Sequence, residues 1–208
     1  MSGIKCPLCF SDKLADIESK YQQCMVCQGI FMLPDFRLNA QAEQMRYETH
    51  QNDINNPSYR KFVSPITDAV IREYTTQHKG LDFGAGTGPV ICAVLQEHQY
   101  QIVPYDPFFH PNEVVLGEKY DFIACCEVME HFFRPHKEFQ RLFAMLKTGG
   151  TLYCMTHLVD KNIQFEKWYY RNDPTHVFFY NSETIAHIAY LFDIKYFTIQ
   201  NRLICFKK

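Results

Sequence analysis

Four groups of residues in this chain have the types and spacing to do chemistry. Cys6-x-x-Cys9 and Cys24-x-x-Cys27 are two thiol pairs, with Pro7 inside the first and Gly29 just after the second. Two such knuckles offer four thiolates, which suits a tetrahedral Zn²⁺. Protein would fill all four positions, so this metal is expected to fold the segment and not to hold a reactive water. The second group is Leu81-Asp82-Phe83-Gly84-Ala85-Gly86-Thr87-Gly88-Pro89, where a short apolar strand runs into alternating glycines and a proline suited to a helix start. Glycines let the backbone approach a ligand closely, and a helix N-terminus supplies unpaired N–H groups. The third group is Glu127, Glu130 and His131, directly after an apolar run. The fourth is Asp173-Pro174-Thr175-His176. Carboxylates and imidazoles grouped in this way suit proton transfer or the holding of a divalent ion.

The elements that must position these groups follow from composition and periodicity. The chain has 208 residues, is 47% hydrophobic and 15% aromatic, and carries a formal charge of −2. That is enough for one domain with a small appendage, and enough apolar surface to exclude disorder. No apolar run is long enough to span a membrane, and the start MSGIKCPLC has no apolar signal region, so a cytoplasmic protein is expected. The charge gives no general attraction to nucleic acid. Cys92, Cys125, Cys126, Cys154 and Cys205 lie in apolar runs and read as small core residues.

The pattern divides into a ribbon over residues 1–35, a polar helical linker over 36–57 and a larger domain over 58–208. Helices are expected from Asn39 to His50 and from Tyr59 to His78. Beyond residue 80 strands and helices alternate. Strands are expected at 81–83, Gln101–Tyr105, Tyr120–Cys126 and Thr151–Thr156, with Gly149-Gly150 punctuating before the last. Helices are expected at Pro89–His98, Pro135–Leu146 and Ser182–Leu191, and a closing hairpin at 194–206. This alternation implies an α/β fold, a doubly wound and mostly parallel sheet with an antiparallel C-terminal strand.

Gly84-x-Gly86-x-Gly88 with Asp82 two places before the first glycine differs from a dinucleotide fingerprint, whose last glycine is Pro89 here. It resembles motif I of class I S-adenosylmethionine-dependent methyltransferases, whose fold is Rossmann-like. EKYDFI with EVMEHF resembles the fourth-strand region of that family, and Leu142 to Gly150 followed by TLYCMT resembles its next segment. The match runs over about residues 46–206. DPTHVFFY and RYETHQNDINNPSYRKF resemble a narrower bacterial group that carries a zinc ribbon. The resemblance implies S-adenosylmethionine as cofactor, held by Asp82, Gly84, Ala85, Gly86, Thr87, Gly88, Pro107, Cys126 and Glu127. It implies that Asp106 accepts from the ribose hydroxyls. Only a short stretch separates Asp106 from Tyr120, so the family's third strand must be reduced, and Glu113–Leu116 reads as its remnant.

Methyl transfer from a sulfonium needs alignment, and a base where the acceptor loses a proton. His131 and His176 are the candidate bases. His50, Trp168 and Tyr169 are candidate substrate contacts, the last two as an aromatic wall. Asp173 has Arg171 as a candidate partner. The spacing of Glu127, Glu130 and His131 also resembles the metal-binding segment of ubiquinone-pathway O-methyltransferases and of small-RNA 2′-O-methyltransferases. That implies a second divalent site for Mg²⁺ or Mn²⁺, completed by His176. The expected acceptor is an oxygen of a small or medium-sized molecule. Two alternatives stand beside it, RNA docked through the ribbon and a non-catalytic cofactor-binding adaptor. Within residues 1–40, Lys5, Lys13, Lys20 and Arg37 balance Asp12, Asp16, Glu18 and Asp35, so the ribbon is a poor phosphate reader. A basic patch from Arg134, Lys137, Arg141 and Lys147 remains for RNA.

Overall fold

The computed structural model describes residues 3–49 and 52–208. The larger sheet holds six strands, in the order β5 (Gln101–Tyr105), β4 (Lys79–Phe83), β6 (Tyr120–Cys126), β7 (Leu146–Met155), β10 (Leu203–Lys207) and β9 (Tyr196–Gln200). The first four run parallel, and the closing hairpin adds the antiparallel pair. The expected doubly wound sheet with its antiparallel C-terminal strand is therefore present.

Strand periodicity splits the core into two faces. Phe122 and Ala124 of β6 face α2 (Pro57–Glu73) and α3 (Val90–Glu97), where Val63, Ile66, Val70 and Leu95 cover them. Ile123 and Cys125 face α4 (Pro135–Met145) and α5 (Ser182–Leu191), with Phe139, Leu142 and Ile188. α2 starts at Asn56, whose side chain accepts from the N–H groups of Ser58 and Tyr59, and Pro57 occupies the first turn. It ends at Glu73, short of His78. α5 is fixed by a capping box between Asn181 and Thr184.

Two expectations are corrected. Glu113–Gly117 is a 3-10 turn and not a strand remnant, so β5 is an edge of the sheet. Asn112 caps that turn by accepting from Val114 N–H, and the segment is too short for a strand with its crossover helix. β7 begins at Leu146 and runs through Gly149-Gly150. The glycines extend the ladder because Gly149 N–H donates to Lys208 and Lys208 N–H donates back to Gly150. Gly149 takes φ +77° at this irregular start.

The N-terminal segment forms the hairpin β1 (Leu14–Glu18) and β2 (Tyr21–Cys24), then β3 (Ile30–Met32). These strands continue into β8 (Phe178–Phe179) from the larger domain, as one four-stranded antiparallel sheet. A helix α1 (Ala40–Glu48), capped by Asn39, follows the ribbon and leads over the carboxyl ends of the parallel strands. Around Trp168 the chain forms two 3-10 turns, Phe165–Lys167 and Tyr169–Asn172. Among the described residues no helix is long and apolar enough to cross a membrane.

Candidate active site

A cavity of about 920 Å³ opens outside the carboxyl ends of β4, β5 and β6, where open α/β sheets bind ligands. Asp82, Gly84, Ala85, Gly86, Thr87 and Gly88 line it, together with Asp106, Pro107, Cys126, Glu127, His131 and His176. Every residue expected to hold the cofactor or act as base thus meets in one place.

The glycines answer specific needs. Gly84 has φ +79° and lies so close to Val128 that a Cβ would sit 2.4 Å from Cγ2. A Cβ on Gly88 would lie 1.7 Å from the carbonyl oxygen of Asn52, so the segment after α1 crosses directly over this glycine. Asp106 binds the loop to β5. One carboxylate oxygen accepts from Gly86 N–H at 3.0 Å, and the other from Phe108 and Phe109 N–H at 2.9 and 3.1 Å. Oδ2, which takes Gly86 N–H, keeps acceptor capacity for a ligand hydroxyl. Asp82 is buried, and burial pushes its carboxyl up to about 7 although the thiol and N–H of Cys92 favour the ionised form.

At the end of β6 the backbone turns sharply, with Glu127 at φ +53°. The two carboxylates after it stay on either side of the Tyr170 hydroxyl but differ in their other partners. Glu127 pairs with Arg202, from the turn between β9 and β10, and accepts from Tyr170 OH at 3.2 Å. Glu130 is fully buried and accepts from Tyr170 OH through Oε1, while its Oε2 has no hydrogen-bond partner among the described residues. Burial pushes Glu127 up to about 8 and Glu130 up to about 7. The carboxylate of Glu127 is thus engaged by a guanidinium. The expected four-residue metal set reduces to Glu130, His131 and His176, whose ligand atoms lie within 4.8 Å of one another.

Both histidines are oriented by backbone carbonyls. His131 Nδ1–H donates to Thr175 at 2.9 Å, and His176 Nδ1–H donates to Tyr170 at 2.6 Å. Their rings meet edge to face at 4.8 Å. Burial, and then the neighbouring His131, push His176 down to about 4, so it is neutral near pH 7. With Nδ1 protonated, its Nε2 carries the lone pair. Tyr170 therefore holds Glu130 by its hydroxyl and His176 by its carbonyl. The aromatic run 168–170 marked this residue without distinguishing it from its neighbours.

Neither proposed aromatic wall residue lines the cavity. Trp168 packs into the core beneath the ribbon, against Tyr170 and Phe179, and Tyr169 is exposed beside His157. Short 3-10 turns turn these rings away from the strand ends. His50 lies outside the described residues. Aromatic residues that do line the cavity include Tyr47, Phe108, Phe109 and Phe132, with Tyr47 against Phe108 and His131 at 5.8 and 5.3 Å. Asp173 pairs with Arg46 of α1 at 2.6 Å, whereas Arg171 pairs with Glu18 of β1. Arg134, Lys137 and Arg141 face the cavity mouth, while Lys147 pairs with Asp121 elsewhere.

The four ribbon cysteines converge, with Cys6 and Cys27 sulfurs 3.6 Å apart and those of Cys9 and Cys24 3.4 Å apart. A tetrahedral ZnS₄ site with bonds of about 2.3 Å has edges of about 3.8 Å. The separations are far beyond a disulfide bond of about 2.05 Å. The donor set fits a zinc ion.

Three comparisons bear on this geometry. The family model described as a methyltransferase domain matches residues 33–195, and the chain belongs to that family. No protein of curated function matches it. Among solved structures, it is similar to an O-methyltransferase family protein from Burkholderia thailandensis, with 13% identity and a TM-score of 0.54 over 79% of this chain and 61% of that one. It is similar to the 1,6-didemethyltoxoflavin-N1-methyltransferase of the same organism, which holds its substrate and S-adenosylhomocysteine, with 13% identity and a TM-score of 0.53 over 94% and 99%. A third is phosphoethanolamine N-methyltransferase 2 of Haemonchus contortus with S-adenosyl-L-methionine, at 17% identity and a TM-score of 0.57 over 77% and 43%. The chain spans less than two thirds of the first and third of these proteins. At such identities the likeness establishes the class I methyltransferase fold.

Proposed function

We propose that this chain transfers a methyl group from S-adenosylmethionine to an oxygen of a small or medium-sized molecule, with His176 taking the acceptor's proton. The observation that carries the reading is the fixed tautomer of His176 on the wall of the glycine-loop cavity. Its Nδ1–H is committed to Tyr170, so Nε2 is the basic atom. Asp106 and residues 84–88 hold the nucleoside and methionine parts, and Glu127 brings a carboxylate to the region where a sulfonium would lie. Tyr47, Phe108 and Phe109 wall the acceptor space.

A second reading has a specific observation in its favour. Glu130, whose Oε2 has no hydrogen-bond partner among the described residues, converges with His131 and His176, which fits a divalent ion such as Mg²⁺ or Mn²⁺. Such an ion would supply acidification of acceptor oxygens. Glu127 is not part of this ligand set.

Calorimetric titration with S-adenosylhomocysteine, with and without Mg²⁺ or Mn²⁺, tests both. Micromolar affinity is expected, and binding too weak to detect would sink the enzyme reading in favour of an adaptor. Divalent heat lost in Glu130→Gln would select the metal reading. A library of hydroxylated compounds and RNA oligomers, read by S-adenosylhomocysteine release, then assigns the acceptor class.

A further inference from the structure

The ribbon and the candidate base share one stretch of backbone. β8 is only two residues long, and within its sheet it pairs with β3 alone. Ile30 pairs with Phe179 and Phe31 with Phe178. One residue earlier, Met32 N–H donates to the Val177 carbonyl at 2.8 Å, and Val177 N–H donates to the Glu130 carbonyl at 2.8 Å. The peptide units on both sides of Val177 are therefore fixed, one by the ribbon and one by the turn that carries Glu130 and His131. His176 is the next residue back along that rail.

The second cysteine knuckle reaches the other side of β8. Cys24 and Gly29 close the knuckle by a main-chain hydrogen bond at 2.9 Å, and the Gln28 carbonyl accepts from Asn181 Nδ2 at 3.0 Å. Gly29 lies flat against the ring of Phe178, where a Cβ would sit 2.4 Å from Cζ. A segment this small, with short strands, relies on its metal for folding. By contrast, Gly84 and Ala85 N–H donate to the Tyr105 carbonyl and Gly86 N–H to Asp106, with no ribbon atom involved.

We propose that the zinc-loaded ribbon is the positioning frame for His176, so that loss of the metal or displacement of β8 unseats the imidazole while the glycine loop still holds its nucleoside. Met32 and Val177 are positioning residues acting through their backbones. The inference rests on the reading that His176 faces the methyl acceptor.

The test uses the full chain in three forms: wild type, Gly29→Ala, which keeps all four cysteines but drives a methyl into Phe178, and Cys9→Ser/Cys24→Ser, which removes the metal. Elemental analysis counts zinc, calorimetry gives S-adenosylhomocysteine affinity, ¹⁵N shifts report the His176 ring, and amide exchange reports Val177. Wild type is expected to carry one zinc and an Nδ1–H tautomer at His176. Gly29→Ala is expected to keep the zinc and an affinity within about threefold of wild type, with Val177 exchange accelerated about tenfold or more and the His176 signals displaced. The cysteine variant should show the same displacement without zinc. Unchanged His176 signals in both variants would overturn the proposal. So would collapse of the whole chain, or parallel loss of nucleoside binding, because the ribbon would then support the entire domain. A wild type that fails to bind S-adenosylhomocysteine would sink the functional reading instead, and the His176 and Val177 signals would still report the coupling.

Discussion

Glu127 and Glu130 show what residue spacing reveals and what it hides. Both follow β6, but only Glu127 lines the cavity, while Glu130 is fully buried and held by Tyr170. The difference between them depends on a positive φ at Glu127 and on Arg202, 75 residues away in a hairpin turn. No local pattern announces such a partner. The glycine loop was legible because its requirements are local: a tight turn and close passage of a neighbouring backbone. Tyr170 was not, because its role follows from two bonds to residues on different segments. His176→Gln is expected to abolish methyl transfer, a loss of about 100-fold or more, while S-adenosylhomocysteine affinity stays within about threefold. Initial rates with an acceptor from the library, set beside calorimetry, check this. Tyr170→Phe frees Glu130 but leaves the Tyr170 carbonyl on His176, so it is expected to retain more activity than His176→Gln in the same assay.

At the scale of elements, the alternation of strands and helices was readable because each has its own period and its own punctuation. The position of α1 was not. Its helix is predicted by Ala40, Glu43 and Met45, yet nothing local says that it covers the strand ends. Arg46 does this by pairing with Asp173, whose carboxylate also accepts from Thr175. Burial opposes ionisation of Asp173, but the bonds from Thr175 and Arg46 hold its carboxyl down to about 2. A depressed acid contributes stability above its unfolded value near 3.9 and loses it as pH falls through about 2. The clasp is therefore intact at neutral pH. Arg46 is over one third exposed, which limits the pair to about 0.2–1 kcal/mol. Arg46→Ala is expected to speed amide exchange across residues 40–48 about threefold, with little change in melting temperature. Unchanged exchange would show that Tyr47 packing alone holds the helix.

For the whole molecule, the short stretch between Asp106 and Tyr120 announced a reduced third strand but not its replacement by a 3-10 turn, and the docking of the ribbon was not legible at all. Strand pairing between β3 and β8 joins residues nearly 150 positions apart, and its signal is only two short apolar runs. The cavity that results contains a buried acid with no cationic side chain paired to it among the described residues. Asp82 has its carboxyl raised by burial from 3.8 to about 7. A raised acid means that the folded state binds more protons than the unfolded state between about pH 4 and 7, so stability falls as pH rises through that window. The ligand-free protein is expected to melt several °C lower at pH 8 than at pH 5.5, a loss that Asp82→Asn should reduce in part, because Glu127 and Glu130 are raised over the same window. S-adenosylmethionine brings positive charge into the same cavity and favours the ionised carboxylate. Its binding should release protons near pH 6.5 and tighten as pH rises. Calorimetry in two buffers of different ionisation heat measures that release directly. Proton uptake, or a melting temperature that climbs towards pH 8 in wild type and Asp82→Asn alike, would mean that Asp82 is already ionised in the folded chain.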